Sequence, residues 1–513
     1  MVLRPGDGRG ERHDAGSVLR AEVEAMEHAA ATPKPIERVC GRFCGIGASS
    51  DLTWTALSVR KRLHVLRAAR QRIADRATEF ADAISPSLAR SKSDTLMSEV
   101  MPLLDACKFL ERNAARLLRP RKLGLSGRPL WLAGVRAEVY REPLGHVLII
   151  GPANYPLFVP GVQVLQALAA GNSVTWKPGT GGGAVAALVA RALREAGLPE
   201  GVLTVTEESV EAAQRELELG TDKVIFTGSF ESGRKVLSGL AETATPAVME
   251  LAGADAILVT PEADLQRVAK AVAFGLRLNG GAVCMSPRRL FANPATMKAL
   301  RPLLETELAK VPPVELPART AAKLLSLVED AIRAGAHVHG EVNERAQRPI
   351  VVDGARPSMA IAQSDIFAPV ISLLEAGSML HAAELYAQCP YGLTAAIFCS
   401  AKERGRARTL AGMLRAGTVL FNDVIAPTVD PRVSFGGRGA SGYGVTRGAE
   451  GLLEMTAVKT LLIRRGRNTL HMQATKDEDA PMFAGLIATV HGKGWARRWS
   501  GLRRFLRGAR AWK

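Results

Sequence analysis

Between residues 146 and 260, short apolar runs recur at intervals of roughly 25 residues: HVLIIGP, NSVTWKP, GVLTVT, KVIFTGS and DAILVT. Each is rich in valine and isoleucine, most end at glycine or proline, and helical stretches such as LFVPGVQVLQALAA and AVAALVARALREAGL separate them. Unbroken apolar runs of this length read as strands buried on both faces. Their alternation with helices predicts βαβ units, and so a parallel sheet covered on both sides. The same texture returns between about 250 and 420 in RPIVVD, PVISLLE, TAAIFCS and GTVLFND, predicting a second α/β region. Ligands on such sheets bind in loops beyond the strands' carboxyl ends, which singles out GPANYP, KPGTGGG and FTGSFESG.

Composition bounds the rest. A chain of 513 residues that is 47% hydrophobic and 23% charged has material for two or three globular domains, not a disordered polymer. The six cysteines (40, 44, 107, 284, 389 and 399) are too scattered for a disulfide framework. RVCGRFC has one residue too many for a redox CxxC and no second Cys/His pair nearby, so no metal site is expected. The N-terminal MVLRPGDGRGERHDAG has no apolar signal core, and nowhere do eighteen apolar residues run uncharged, so the expected compartment is the cytoplasm.

The formal net charge is +17, and part of that excess is local. Lys493, Arg497, Arg498, Arg503, Arg504, Arg507, Arg510 and Lys513 fall in residues 493–513 without an acid. Trp495, Trp499, Leu502 and Leu506 fall on one helical stripe there, a pattern that fits peripheral attachment to an anionic membrane surface. A basic tail on its own subunit is the competing reading. No nucleic-acid-binding module accompanies the charge, so nucleic acid is not an expected partner.

Several residues could carry chemistry. In FTGSFESGRKVL a strand ends at Gly228, Ser229 can cap the next helix, and Gly233 permits a close helix approach, leaving backbone N–H groups for a phosphate. Lys177 ends another strand in a glycine-rich loop, where a mobile cation can reach ribose or phosphate oxygens. Glu250 lies between Met249 and Leu251, and a carboxylate in apolar surroundings is raised towards the range of a general base, or else is salt-bridged. Cys284, in NGGAVCMSPRR, has small neighbours that leave the sulfur accessible; alone, a free cysteine is more often buried packing. Asn154 in GPANYP and the Cys284 backbone N–H could supply the donors that an oxyanion formed at the sulfur requires.

GPANYP, AAGNSVTWKP, FTGS with Gly233, MEL with Gly253, NGGAVC, DIFAPV, FND and SFGGRGASGYG occur in one order over about residues 50–463. In that order they resemble the aldehyde dehydrogenase superfamily, nearest in pattern to its class 3 and coniferyl-aldehyde members. The resemblance implies an α/β fold of two Rossmann-like parallel-sheet domains with a small oligomerisation hairpin or arm. It implies NAD(P)-dependent oxidation of an aldehyde to an acid through a cysteine thiohemiacetal and thioester, in a homodimer or tetramer. Cys284 then matches the nucleophile, Glu250 the general base and Asn154 the oxyanion donor. Lys177, Thr180, Gly228, Ser229, Gly233 and Leu251 match cofactor-binding positions, Asp365 and Phe367 the pair at the nicotinamide ribose and ring, and Phe435 a substrate-channel residue.

The pattern is broken at four places. Thr180 stands where KPxE has its acid, removing the carboxylate that would repel a 2′-phosphate, so NADP or dual use is favoured over NAD alone. ELAG replaces ELGG at Ala252, Ala282 replaces a glutamine, and Asp365 replaces a glutamate, shortening its reach by one methylene. Expected boundaries are a tail at 1–20, a cofactor domain at 21–249 with a hairpin at 130–145, a catalytic domain at 250–420, an arm at 421–463 and a basic tail at 464–513. Two competing functions use the same fold: an acyl-CoA or acyl-thioester reductase, and a non-catalytic membrane-associated scaffold.

Overall fold

The computed structural model describes residues 54–84, 90–465 and 474–511, with single positions 88 and 472. The expected N-terminal tail at 1–20 lies outside them. The described chain divides into two compact units, one of residues up to 120 and 140–459, the other of 121–139 and 460 onward.

In the first unit, helices α1 (Val59–Asp75) and α2 (Met101–Leu117) precede the first sheet. Its strands are β1 (His146–Ile150), β2 (Ser173–Lys177), β3 (Leu203–Val205), β4 (Lys223–Gly228) and β5 (Ala247–Leu251), parallel in the order β5-β4-β1-β2-β3. Helices α3 (Phe158–Ala170), α4 (Gly183–Glu195) and α5 (Phe230–Ala241) connect them, so the alternation reads directly as a doubly wound sheet. All of α3 except Val159 is buried. Its C-terminal carbonyls are capped from α1, where Arg62 donates from Nε to Ala169 O at 3.1 Å and from Nη2 to Ala170 O at 3.2 Å.

The second sheet comprises β6 (Asp255–Val259), β7 (Pro287–Ala292), β8 (His337–His339), β9 (Ile350–Asp353), β10 (Val370–Glu375), β11 (Thr394–Phe398) and β12 (Thr418–Phe421). Its order is β8-β9-β10-β7-β6-β11-β12, parallel except at the β8 edge. Helices α6 (Leu265–Arg277) and α7 (Ala318–Arg333) belong to this half. A short β13 (Gly442–Tyr443) then pairs antiparallel with β5, setting Gly442 opposite Glu250. The late chain is thereby brought to the strand that carries Glu250.

Among the buried strands of the two sheets, two were not apparent as apolar runs. AVMEL forms β5, with its glutamate buried, and PRRLFA forms β7 although two arginines stand in it. Both arginines are 2% exposed. They are tolerated because backbone carbonyls accept from them: Arg289 Nε donates to Ala254 O at 2.9 Å, and Arg288 Nη1 donates to Ala368 O at 2.5 Å.

Strand Arg121–Leu123 pairs antiparallel with the Ala137–Val139 part of strand Val135–Pro143; the hairpin was expected at 130–145, and its first strand lies upstream of that range. Helices α8 (Ala480–His491) and α9 (Trp495–Ala511) form a tight helical hairpin. A Cβ added at Gly485 would lie 2.7 Å from Phe505 N, and one at Gly501 2.7 Å from Gly485 O, so the seam requires glycine. Trp495 and Trp499 stack with ring centres 5.5 Å apart. Among the described residues no helix is long and apolar enough to cross a membrane.

Candidate active site

The NGGAVC stretch is a left-handed turn. After α6, Asn279, Gly280 and Gly281 take φ of 50°, 59° and 78°. A Cβ at Gly281 would lie 2.8 Å from the Ala368 carbonyl carbon, so this turn seats directly on the DIFAPV segment. Arg288 clamps the same joint, donating to Ala368 O and to Gly281 O.

A second set of bonds ties the turn to the GPANYP loop. Asn279 Nδ2 donates to Asn154 O at 3.2 Å and to Ala282 O at 3.1 Å, and Asn154 Nδ2 donates to Ala282 O at 2.9 Å. An amide nitrogen carries two N–H groups, so Asn154 keeps one for a ligand beside Cys284. Gly253 is required by the same crowding, since an added Cβ would stand 3.0 Å from Cys284 O.

Glu250 lies on β5, 5% exposed. Gln163 Nε2 of α3 and Thr227 Oγ1 of β4 donate to its Oε2 at 3.1 Å each, and Thr446 Oγ1 donates to its Oε1. Burial pushes its carboxyl above the ordinary carboxylate range, against Arg447 and these three donors. The Cys284 sulfur is enclosed by protein but partly open on the cavity side. Burial, helped by Asp255 and Glu250, pushes its thiol up to about 12, and Arg447 opposes this.

Cys284, Glu250 and Asn154 line one cavity of about 930 Å³, together with Gly228, Ser229, Leu251, Asp365, Phe367 and Phe435. Lys177, Thr180 and Gly233 do not form its wall. Lys177 is buried at the end of β2, Thr180 is exposed in the loop after it, and Gly233 packs inside α5 against Leu251. Asp365 is held by Lys323 of α7, with Nζ 3.2 Å from Oδ1.

The site also contains groups the sequence reading passed over: Gln163, Thr227, Asn279, Thr446, Arg447 and Lys323. Thr227 lies in FTGS and Asn279 in NGGAVC, where the Asn-Gly pair signals a left-handed turn; the others sit in no unusual local motif. Glu208 likewise went unnoticed. It accepts from Gly181 N and Gly183 N at 2.7 Å each and so braces the KPGTGGG loop.

These residues fit a nicotinamide dinucleotide. The N-terminus of α5, capped by Ser229 Oγ accepting from Ser232 N at 3.2 Å, opens on the cavity beyond the carboxyl end of β4.

Comparison with known proteins agrees with this geometry. The sequence pattern of the Aldehyde dehydrogenase family matches residues 46–461. The chain is 29% identical over 458 residues to the 4,4'-diapolycopene aldehyde oxidase of a Methylomonas species, covering 86% of this chain and 85% of that protein. The crystal structure of an NAD-dependent aldehyde dehydrogenase from Sinorhizobium meliloti superposes with a TM-score of 0.76 at 26% identity, over 84% of this chain and 87% of that one. An NADP-dependent glyceraldehyde-3-phosphate dehydrogenase from Bacillus halodurans, complexed with NADP, does so with a TM-score of 0.74 at 26% identity, over 81% and 88%. With a parallel-sheet pair, a cysteine turn and a cofactor-sized cavity all in place, this chain belongs to the aldehyde dehydrogenase family and is an oxidoreductase that oxidises aldehydes with a nicotinamide cofactor.

Proposed function

We propose that the protein converts an apolar aldehyde to its carboxylic acid, with Cys284 as nucleophile and Glu250 as the base for hydrolysis. The observation that carries this reading is the shared cavity, which Cys284, Asn154 and Glu250 all line. Cys284 as thiolate adds to the aldehyde carbon, and the Asn154 N–H with the Cys284 backbone N–H receives the oxyanion. The bound nicotinamide supplies the hydride acceptor. Gly228, Ser229, Leu251, Asp365 and Phe367 would hold it in the cavity, with Lys177, Thr180 and Gly233 binding the cofactor further along the loops after β2 and β4. Glu250 then takes a proton from water, which attacks the Cys284 thioester and releases the acid.

A base for water favours this reading over an acyl-thioester reductase, and the intact trio favours it over a scaffold. Phe158, Phe274, Leu393 and Phe435 in the cavity wall favour an apolar substrate, as does the similarity to an enzyme named for a diapolycopene aldehyde.

Thr180 supports NADP or dual use. Glu208, from the segment after β3, is a carboxylate bonded to that loop, and it is already engaged by two backbone amides. Cofactor reduction with a panel of aldehydes is expected with NADP at least as well as with NAD. Thr180→Glu is expected to weaken NADP use by about tenfold or more, with NAD use kept, through like-charge repulsion of the 2′-phosphate. Absence of turnover with every aldehyde would remove the enzymatic reading, and strict NAD use by the unaltered protein would remove the argument from Thr180.

The second unit favours a membrane-surface partner. Helix α9 carries Arg497, Arg498, Arg503, Arg504, Arg507 and Arg510 without an acid, and Trp495 and Ile487 are 77% and 62% exposed. The full chain is expected to sediment with vesicles containing anionic lipid and to be released by salt, whereas a chain ending at residue 479 stays in solution. Equal behaviour of the two chains would exclude the membrane role. A homodimer or tetramer remains part of the proposal by family likeness.

A further inference from the structure

The chemistry proposed above leaves one buried charge without a task. Arg447 is 7% exposed and lines the cavity. Its guanidinium stands 4.0 Å from the centre of the Phe435 ring and 5.3 Å from that of Phe158. Nη1 donates to Thr428 O at 2.8 Å, and the backbone N–H donates to Gln166 Oε1 at 3.2 Å. The residue holds φ at 60°, a strained conformation for a side chain of this size. Among the described residues, no carboxylate closes an ion pair with it.

A cation enclosed by aromatic rings and left unpaired is costly unless anions face it. Glu250 and Cys284 line the same cavity, Thr446, next to Arg447 in sequence, donates to the Glu250 carboxyl, and both acids favour the charged guanidinium. The other ionisable groups facing Cys284 are otherwise occupied. Asp255 accepts from Thr394 N at 3.0 Å and from Thr394 Oγ1, Arg288 donates to two carbonyls, and the Tyr155 ring lies under Arg90 at 4.8 Å.

We propose that Arg447 is the counter-charge of the Cys284–Glu250 pair, allowing the two acids to hold one negative charge and share one proton in an apolar enclosure. The attacking state forms when the proton leaves Sγ for a Glu250 oxygen, and once the thioester has formed that proton passes to solvent, leaving the carboxylate able to act on water. In the first transfer only the S–H bond breaks and only an O–H bond forms, and the three groups together stay neutral throughout. Arg447 is thus a positioning residue that acts through Cys284 and Glu250. The inference rests on the assignment of Cys284 as the nucleophile.

The test is the rate of Cys284 alkylation by iodoacetamide against pH, read by peptide mass on the full chain without cofactor or aldehyde. Arg447→Met is expected to move the midpoint up by about one pH unit or more, slowing modification at neutral pH by about tenfold, and Arg447→Lys to restore most of it. Glu250→Gln is expected to move the midpoint down, because the repelling carboxyl is gone while the guanidinium remains. Were Glu250 the sole activator of the thiol, that midpoint would rise. An unchanged profile in folded Arg447→Met, or a raised midpoint in Glu250→Gln, overturns the proposal. If Arg447→Met does not fold, the Glu250→Gln profile decides. Failure of the enzymatic reading shows separately, as absent turnover in a protein whose alkylation still follows the expected shifts.

Discussion

Cys284→Ala protein is expected to form no reduced nicotinamide from any aldehyde that the unaltered protein oxidises, a loss on the order of 10⁴-fold or more. The size of the effect follows from the site. Among the described residues lining the cavity, Cys284 is the single thiol, and the Asn154 amide can stabilise an oxyanion only once a nucleophile has created it. The substitution removes one sulfur from a position open to the cavity, so thermal unfolding should move little. Purified variant and parent, compared by cofactor absorbance and by melting temperature, give the answer. Turnover within tenfold of the parent would place the nucleophile elsewhere.

Glu250→Gln is expected to lose about 10²- to 10⁴-fold in steady-state turnover, the range of a general base. The form of the loss matters more than its size. The amide fills nearly the same space between Gln163, Thr227 and Thr446 but cannot take a proton from water; with Arg447 kept in the cavity the Cys284 thiol loses its proton to solvent instead, so acylation proceeds and hydrolysis stalls. A burst of one reduced nicotinamide per site should appear, with an acyl adduct on Cys284 in the intact mass. Turnover of the parent also has a pH sense. Burial raises the Glu250 carboxyl, so the fraction able to act as base grows as pH rises, and activity should climb from the acid side. A variant with unchanged turnover, or a parent whose activity falls over that range, would count against Glu250 as the base.

Although Glu250 obscured β5, strands β1 to β4 of the first sheet were legible because they are largely apolar runs. The strand Pro287–Ala292 was not, since Arg288 and Arg289 look like surface residues until carbonyls from other elements are placed around them. Within the site, Cys284, Glu250 and Asn154 stood out because each lies in a short motif. Thr446 and Arg447 did not, because their meaning depends on contacts with residues nearly two hundred or more positions away. Thr180 was read from an absence, and the loop's substitute, Glu208, lay beyond the motif that drew attention.

Helix α3 joins several of these parts. Glu99, fully buried and paired to Arg90, accepts the Leu157 and Phe158 N–H groups at 2.8 Å each and so fixes the start of the helix just after the Asn154 loop. One turn further on, Gln163 reaches Glu250, and Gln166 holds the backbone of Arg447 and Gly448. Phe158, at the head of the same helix, faces the substrate. The enzyme's choice of aldehyde and its rate are therefore mechanically coupled along this wall. Substitutions there would trade one against the other, whereas Phe274, a lining residue outside this hydrogen-bond chain, offers a place where the pocket can be reshaped.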